Sequence, residues 1–333
     1  MKTRFLGNII KVICLVCVLA LLPSFAACNG EDENSETVGE IYRIITFNSN
    51  GGTPVESIKV RDNHYATCPE DPTLDNYVFS RWEREGREWL FDSKRVTEDM
   101  TLSALWVSAV EIFELEPDGE SGNLMIAGFK KHASFSTLKI PSTINGKTVV
   151  ALSDEAFAFT NTDYAKHIIL PDTIVSVGDG AFMKSPEVTF DIQGVLTSIG
   201  ESSFEGCSLL TSVKLGEGIE SIPFMCFFEC TSLKTINIPS GVTTIEENAF
   251  EGCSSMLTMV LPATLTTVED SAFANCKNLK TIFFGGTEEQ FDALSIADSN
   301  EALADTELYI YSESEPAEQG NYWHYENGSP VIW

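Results

Sequence analysis

Phenylalanine recurs at a fixed interval: Phe204, Phe227, Phe250 and Phe273 are spaced 23 residues apart, and each is followed three residues later by a cysteine, Cys207, Cys230, Cys253 and Cys276. A strict period of this length restricts the chain to stacked coils that bury one face against their neighbours, none of which can fold alone. Stacking produces one continuous core and a long outer flank rather than an enclosed pocket. Binding is therefore the leading functional expectation.

The rest of the period defines the coil. Six residues after each Phe stand Leu210, Leu233, Met256 and Leu279; nine after, Val213, Ile236, Met259 and Ile282; eleven after, Leu215, Ile238, Leu261 and Phe284. The last two of these positions alternate as in a strand, and the spacing L-x-x-I-x-I is the core of a leucine-rich repeat. Gly216, Pro239 and Pro262 end that strand, because proline cannot donate to a further ladder bond. A second apolar run follows at Ile219/Ile222, Val242/Ile245 and Leu265/Val268. Each coil thus reads as two short extended segments and two bends. The pattern reaches back with looser spacing to Phe182 and Phe157, where Ser185 and Thr160 replace cysteine, and the opening coil is Ile140–Val150. These residues resemble the BspA-like leucine-rich repeats of bacterial surface proteins. The resemblance implies a mainly β fold: a solenoid over 140–286, closed by a C-terminal cap over 287–333.

The cysteine column does not read as a metal or redox centre. Side chains at one repeat position point the same inward way, whereas zinc needs converging ligands at short C-x₂₋₄-C spacing. Free cysteine packs as a small hydrophobe, so buried thiols are expected. Cys226 stands where Ala249 and Ala272 stand in later coils, another small buried position.

The front end differs. Lys2, Arg4 and Lys11 precede an apolar run over 12–22 that is too short for an ordinary membrane span, so 1–27 reads as an export signal. Phe25-Ala26-Ala27-Cys28 resembles a bacterial lipobox, which implies lipidation of Cys28 and anchoring at a membrane surface without a spanning helix; plain secretion is the alternative. Residues 28–39, rich in Asn, Gly, Ser, Thr and acids, read as a flexible tether. Residues 40–107 form a separate module, with strands at Tyr42–Phe47, Val55–Val60, Tyr77–Phe79 and Leu102–Val107 around an Asn48–Gly52 turn. The segments Thr46–Gly52, Tyr77–Trp82 and Asp99–Trp106 resemble the Listeria–Bacteroides repeat, also called the internalin B-repeat. That resemblance implies a compact β-grasp-like fold, with Asn76 and Arg81 standing where the family often has glycine. Trp82 and Trp106 read as core, with a ligand platform as the alternative. Residues 108–139 bridge to the coils, and Glu111–Leu115 with Leu124–Phe129 read as a hairpin cap around Pro117-Asp118-Gly119.

Composition excludes some partners. The chain carries 49 acids against 21 bases, a formal net charge of −28, which argues against nucleic acid or anionic lipid as a partner. The acids scatter over repeat bends (Glu205, Glu217, Glu229 and Glu251) as a solvated face, with no Asp-x-Asp-x-Asp run for calcium. Histidines 64, 132, 167 and 324 share no motif, and neither a nucleophile elbow, a His-Glu-x-x-His nor a phosphate-binding loop is present. No enzyme, cofactor or metal is expected.

Outward strand positions form two columns, Ser212, Thr235, Thr258, Thr281 and Lys214, Asn237, Val260, Phe283. Cross-strand threonine packing alone would account for the first. The second grows apolar toward the C-terminus without a core to demand it, so these eight residues are the candidate recognition surface. The terminal Tyr322–Trp333 cluster reads as a cap, with sugar binding as its alternative. The expectation is a cell-surface lipoprotein that binds extracellular protein or glycan and touches the membrane only through its anchor. A structural spacer, or a receptor delivering glycan or peptide to a transporter, are the rivals.

Overall fold

The rings of Phe157, Phe182, Phe204, Phe227, Phe250 and Phe273 form one buried stack in the computed structural model, with successive centroids 5.9, 5.3, 5.3, 5.3 and 5.4 Å apart. The structure describes residues 40–119, 121–130, 135–161, 165–317 and 319–333. The export signal, Cys28 and the tether, like His132, lie outside the described residues.

Main-chain and thiol hydrogen bonds hold the stack in register. The N–H of each of the first five ring residues donates to the carbonyl just before the next ring: Phe157 to Ala181, Phe182 to Ser203, Phe204 to Cys226, Phe227 to Ala249 and Phe250 to Ala272, at 2.7–2.9 Å. The thiols of Cys207, Cys230, Cys253 and Cys276 point back and donate to the carbonyls of Phe182, Phe204, Phe227 and Phe250 at 3.1–3.2 Å. Ser185, where the cysteine is missing, makes the same bond to Phe157 O at 3.1 Å. The column therefore selects a small side chain with a donor, and the thiols are buried and free as expected.

Two bends per coil flank the ring, each closed by a left-handed residue. Two positions before the ring these are Glu155, Gly180, Ser202, Met225, Asn248 and Ser271; two after, Phe159, Lys184, Gly206, Glu229, Gly252 and Asn275, all with positive φ. Glycine and asparagine adopt this region with least strain, yet only five of the twelve are Gly or Asn.

The extended segments form parallel ladders on two faces. One face stacks Ser176–Val177 and Ser198–Ile199, and further along Ser221–Ile222, Thr244–Ile245, Thr267–Val268 and Ser295–Ile296. The other carries Phe135–Lys139, Ala165–Leu170 and Thr189–Ile192 at one end and Thr258–Leu261, Thr281–Phe284 and Glu307–Tyr311 at the other. Between them, the L-x-x-I-x-I segments after Phe204 and Phe227 hold only isolated bridges, Leu196 to Leu215 and Asn237 to Val260. The first bridge keeps ordinary bonds, Leu196 N to Lys214 O at 3.0 Å and Gly216 N to Leu196 O at 2.7 Å, whereas the bonds beyond it are stretched, Lys234 N to Thr211 O at 3.4 Å and Ile238 N to Val260 O at 3.5 Å. The apolar residues of these segments still point inward; Val213, Ile236 and Ile238 are buried.

Both ends are closed. At the first, Phe113–Pro117 and Leu124–Phe129 pair as an antiparallel hairpin, and the latter strand joins the parallel ladder through Lys147–Leu152. Glu111 and Ile112, expected to begin that hairpin, instead belong to a short helix, Ala109–Ile112, whose Ala109 and Ile112 are buried. At the other end, Thr287 and Gln290 form a capping box on the helix Glu288–Asp292. Beyond it Glu307–Tyr311, Tyr322–Glu326 and Ser329–Ile332 finish the sheet.

In the N-terminal module the sheet runs Ile58–Arg61, Tyr42–Asn48, Met100–Ser108, Tyr77–Arg84, Arg87–Glu88. Its Tyr42–Asn48 and Met100–Ser108 strands pair in parallel, as in a β-grasp sheet, around a core of Ile45, Phe47, Phe79, Trp82 and Leu102. Trp82 is core; Trp106 is half-buried, donates Nε1 to Ser49 O at 2.9 Å, and its ring leaves no room for a Cβ at Gly52. Asn76 (φ 72) joins module to coils: its Oδ1 accepts the Asn145 N–H, its carbonyl accepts the Ala109 N–H at 2.8 Å, and Val78 enters the solenoid core.

Candidate functional site

Alternation along the second face sends one set of side chains into the Phe stack and the other set outward. Of the eight nominated residues, Ser212, Lys214, Thr235 and Asn237 are exposed, and Thr258 and Thr281 are half-buried. Val260 and Phe283 are not free surface, being only 5% and 6% exposed. Their burial corrects the expectation that no core demands an apolar column there. Trp323, fully buried, lies over them as a small second core with Tyr309. Its indole Nε1 donates to Phe284 O at 2.9 Å, and its ring centroid is 5.5 Å from that of Phe283. The outer side of the last coils is thus roofed by the cap, and the open part of the second column is Lys214 and Asn237.

Beside that roof runs a groove of about 390 Å³. Asn237, Ser240 and Glu217 enter it from the middle coils, Pro239 and Pro262 from the ends of the strand segments, and Tyr311 and Tyr325 from the cap. Ser240 Oγ donates to Glu217 Oε2 at 2.7 Å. Tyr311 and Tyr325 stand at 71° and 74° to the buried Trp323 ring, which holds both rings in place while leaving them 37% and 49% exposed.

A larger cleft, about 850 Å³, opens at the other end of the same face, where Asp71, Pro72 and Tyr77 of the module meet Lys139, His167 and Ile169 of the first coils. The register aligns Thr137, His167 and Thr189, and beside them Lys139, Ile169 and Asp191. His167 Nδ1 lies 2.5 Å from Thr189 Oγ1. Burial pushes the Asp71 carboxyl up, with Lys139 opposing. No sequence signal links these residues to one another, because the cleft forms only where the module docks on the coils at Asn76 and Val78.

The other described histidines, His64 and His324, line neither recess. His64 Nδ1 lies 2.9 Å from Asp62 O, and His324 stacks on Trp333 with centroids 3.8 Å apart. Desolvation pushes the Cys226 and Cys276 thiols up to about 12 and raises Cys207, Cys230 and Cys253 as well, so none supplies a thiolate near neutrality. Among the described residues no cluster of three or more His, Cys, Asp or Glu is placed to hold a metal ion, and no helix is long and apolar enough to cross a membrane.

Six copies of the BspA type leucine rich repeat region match the chain, over residues 127–255 and 188–301. The chain belongs to the BspA type leucine rich repeat family. Proteins of this BspA-like family are bacterial cell-surface proteins whose repeats generally mediate binding and are generally non-catalytic. The Listeria-Bacteroides repeat domain matches residues 44–105 of the same BspA-type chain. Among solved structures, a T. pallidum leucine rich repeat protein is 20% identical, covering 57% of this chain and 85% of its own, with a TM-score of 0.48. A leucine rich cell surface protein from Faecalibacterium prausnitzii is 28% identical over 54% of this chain and 40% of its own, TM-score 0.34. A leucine-rich repeat protein from Eubacterium ventriosum is 19% identical over 71% of this chain and 57% of its own, TM-score 0.43. No curated protein matches the chain.

Proposed function

We propose that this BspA-type protein is a lipid-anchored surface adhesin that presents the strand face of its solenoid to extracellular protein or glycan. The observation that carries this reading is the exposure of Ser212, Lys214, Thr235 and Asn237 in line over a rigid ring stack, between a cleft and a groove on the same face. Side chains there vary without disturbing the core, since every inward position is filled by the ring, thiol and aliphatic columns. Cys28 would carry the lipid, the acidic tether over 28–39 would lift the folded part clear, and the module over 40–107 would stand nearer the membrane end of the chain.

The test is an array of matrix proteins and glycans probed with the chain and with the combined variant Ser212→Glu, Lys214→Glu, Thr235→Glu. Capture is expected from the parent and lost in the variant, with an unchanged circular dichroism spectrum. Capture that survives all three changes moves the site off this face. Replacing Cys28 by Ser is expected to release the protein from the membrane fraction.

A further inference from the structure

The groove beside the cap has a composition unlike the rest of the face, and its contents define a ligand. Its aromatic side, Tyr311 and Tyr325, is held by the buried Trp323 and needs no ordering on binding. Its polar groups are an exposed amide, Asn237, and the Ser240–Glu217 pair. None of the described residues lining it is a cation, so an anionic ligand finds no counter-charge and meets a carboxylate. Pro239 and Pro262 contribute no N–H, so an extended peptide has no donor at these positions with which to add a strand. A ligand with flat C–H surfaces, many hydroxyls and no charge satisfies all of these constraints. Such a ligand stacks a ring on tyrosine and shares hydroxyls with amide and carboxylate.

We infer that this groove is a binding site for a neutral oligosaccharide, with Tyr311 and Tyr325 as the stacking surface and Asn237 and Glu217 as hydrogen-bonding partners. The inference rests on the proposed binding role of the strand face and names the ligand class at its C-terminal end. A volume of about 390 Å³ falls within the roughly 300–1,000 Å³ of small-ligand sites, which limits the contact to a short stretch of chain.

The experiment is calorimetric titration of the whole protein with neutral tetrasaccharides of glucose, galactose, mannose and N-acetylglucosamine. Sialylated and sulfated tetrasaccharides and an uncharged decapeptide are titrated alongside. A neutral tetrasaccharide is expected to bind, and Tyr325→Ala is expected to weaken it by about tenfold. If Tyr325→Ala loosens the cap, read from the near-ultraviolet signal of Trp323, Asn237→Ala gives the same reading without touching cap packing. The inference is overturned if no neutral tetrasaccharide binds, if both variants bind as the parent does, or if the anionic sugars or the peptide bind better. Capture of matrix proteins through Ser212, Lys214 and Thr235 without tetrasaccharide binding overturns the groove and leaves the face. Tetrasaccharide binding that survives Ser212→Glu, Lys214→Glu, Thr235→Glu supports the groove even where the face fails.

Discussion

The side-chain oxygen of Asn300 accepts the backbone N–H of Phe273 at 2.9 Å, in the place where each earlier ring donates to a main-chain carbonyl. The two N–H groups of its Nδ2 are shared among Glu269 O, Ala297 O and Asp298 O, at 2.8, 3.0 and 3.2 Å. One buried amide thus imitates the coil that would come next, and the stack ends without an orphaned donor.

Removing that imitation exposes the end of the stack. Asn300→Ala should lower stability by about 1–3 kcal/mol, because a buried N–H and its neighbouring carbonyls lose their partner. Asn300→Asp should do no better, since a carboxylate has no N–H to offer these carbonyls. Urea unfolding gives the magnitude, and hydrogen exchange should show lost protection at Phe273 before any other ring residue.

The thiols make the fold sensitive to alkali. Burial raises Cys226 and Cys276 from 9.0 to about 12, so the folded state keeps protons that the unfolded chain releases. The resulting stability is complete below about pH 9 and is lost as pH climbs toward 12. The urea midpoint should fall across that window, and less steeply in a Cys226→Ala, Cys276→Ala double variant.

Reactivity should separate the cysteines in the same way. At pH 8, peptide mapping after treatment with a maleimide is expected to find label on Cys68, which is exposed, and none on Cys207, Cys230 or Cys253. Labelling of Cys68 should itself be slow, because partial desolvation and Asp71 push its thiol up to about 11. Rapid modification of the buried column would contradict the stacked fold.

Bend residues offer a gain as well as a loss. Met225 and Glu229 hold φ of 51° and 55°, a region that costs an L-residue about 1–2 kcal/mol. Met225→Gly or Glu229→Gly should therefore raise the thermal midpoint or leave it unchanged, the relief being set against glycine's greater unfolded-state entropy. Gly252→Ala, at φ 76° with Glu229 Cγ only 3.3 Å from the new Cβ, should lower it.

Asn76 is the last case. Asn76→Gly keeps the left-handed backbone but removes the Oδ1 that receives Asn145 N–H. Loss of about 1 kcal/mol and faster proteolysis between module and coils are the expected outcome, measured against the parent by timed digestion.

The ring and thiol columns were legible in the chain because a solenoid repeats its inward contacts at a constant interval, and the same holds for the proline stops. What escaped was aperiodic. Val260 and Phe283 read as open surface because their cover, Trp323, comes from a segment outside the repeat, 40 residues beyond Phe283. Asn300 carries no local mark of its role, since it imitates a carbonyl of a coil that does not exist. Nor does the large cleft, whose two sides come from segments far apart in the chain that meet where Asn76 and Val78 dock on the coils. Periodicity reveals what a coil shares with its neighbours and is silent on what lies across its outside.

The even pitch of the aromatic stack makes this molecule a ruler. Its two recesses sit at opposite ends of one face, so gaining or losing a coil between them would change their separation by one ring step of 5.3 Å while leaving each lining intact. A partner gripping both recesses would discriminate length as well as chemistry, and lineages could retune that reach simply by duplicating or deleting 23 residues.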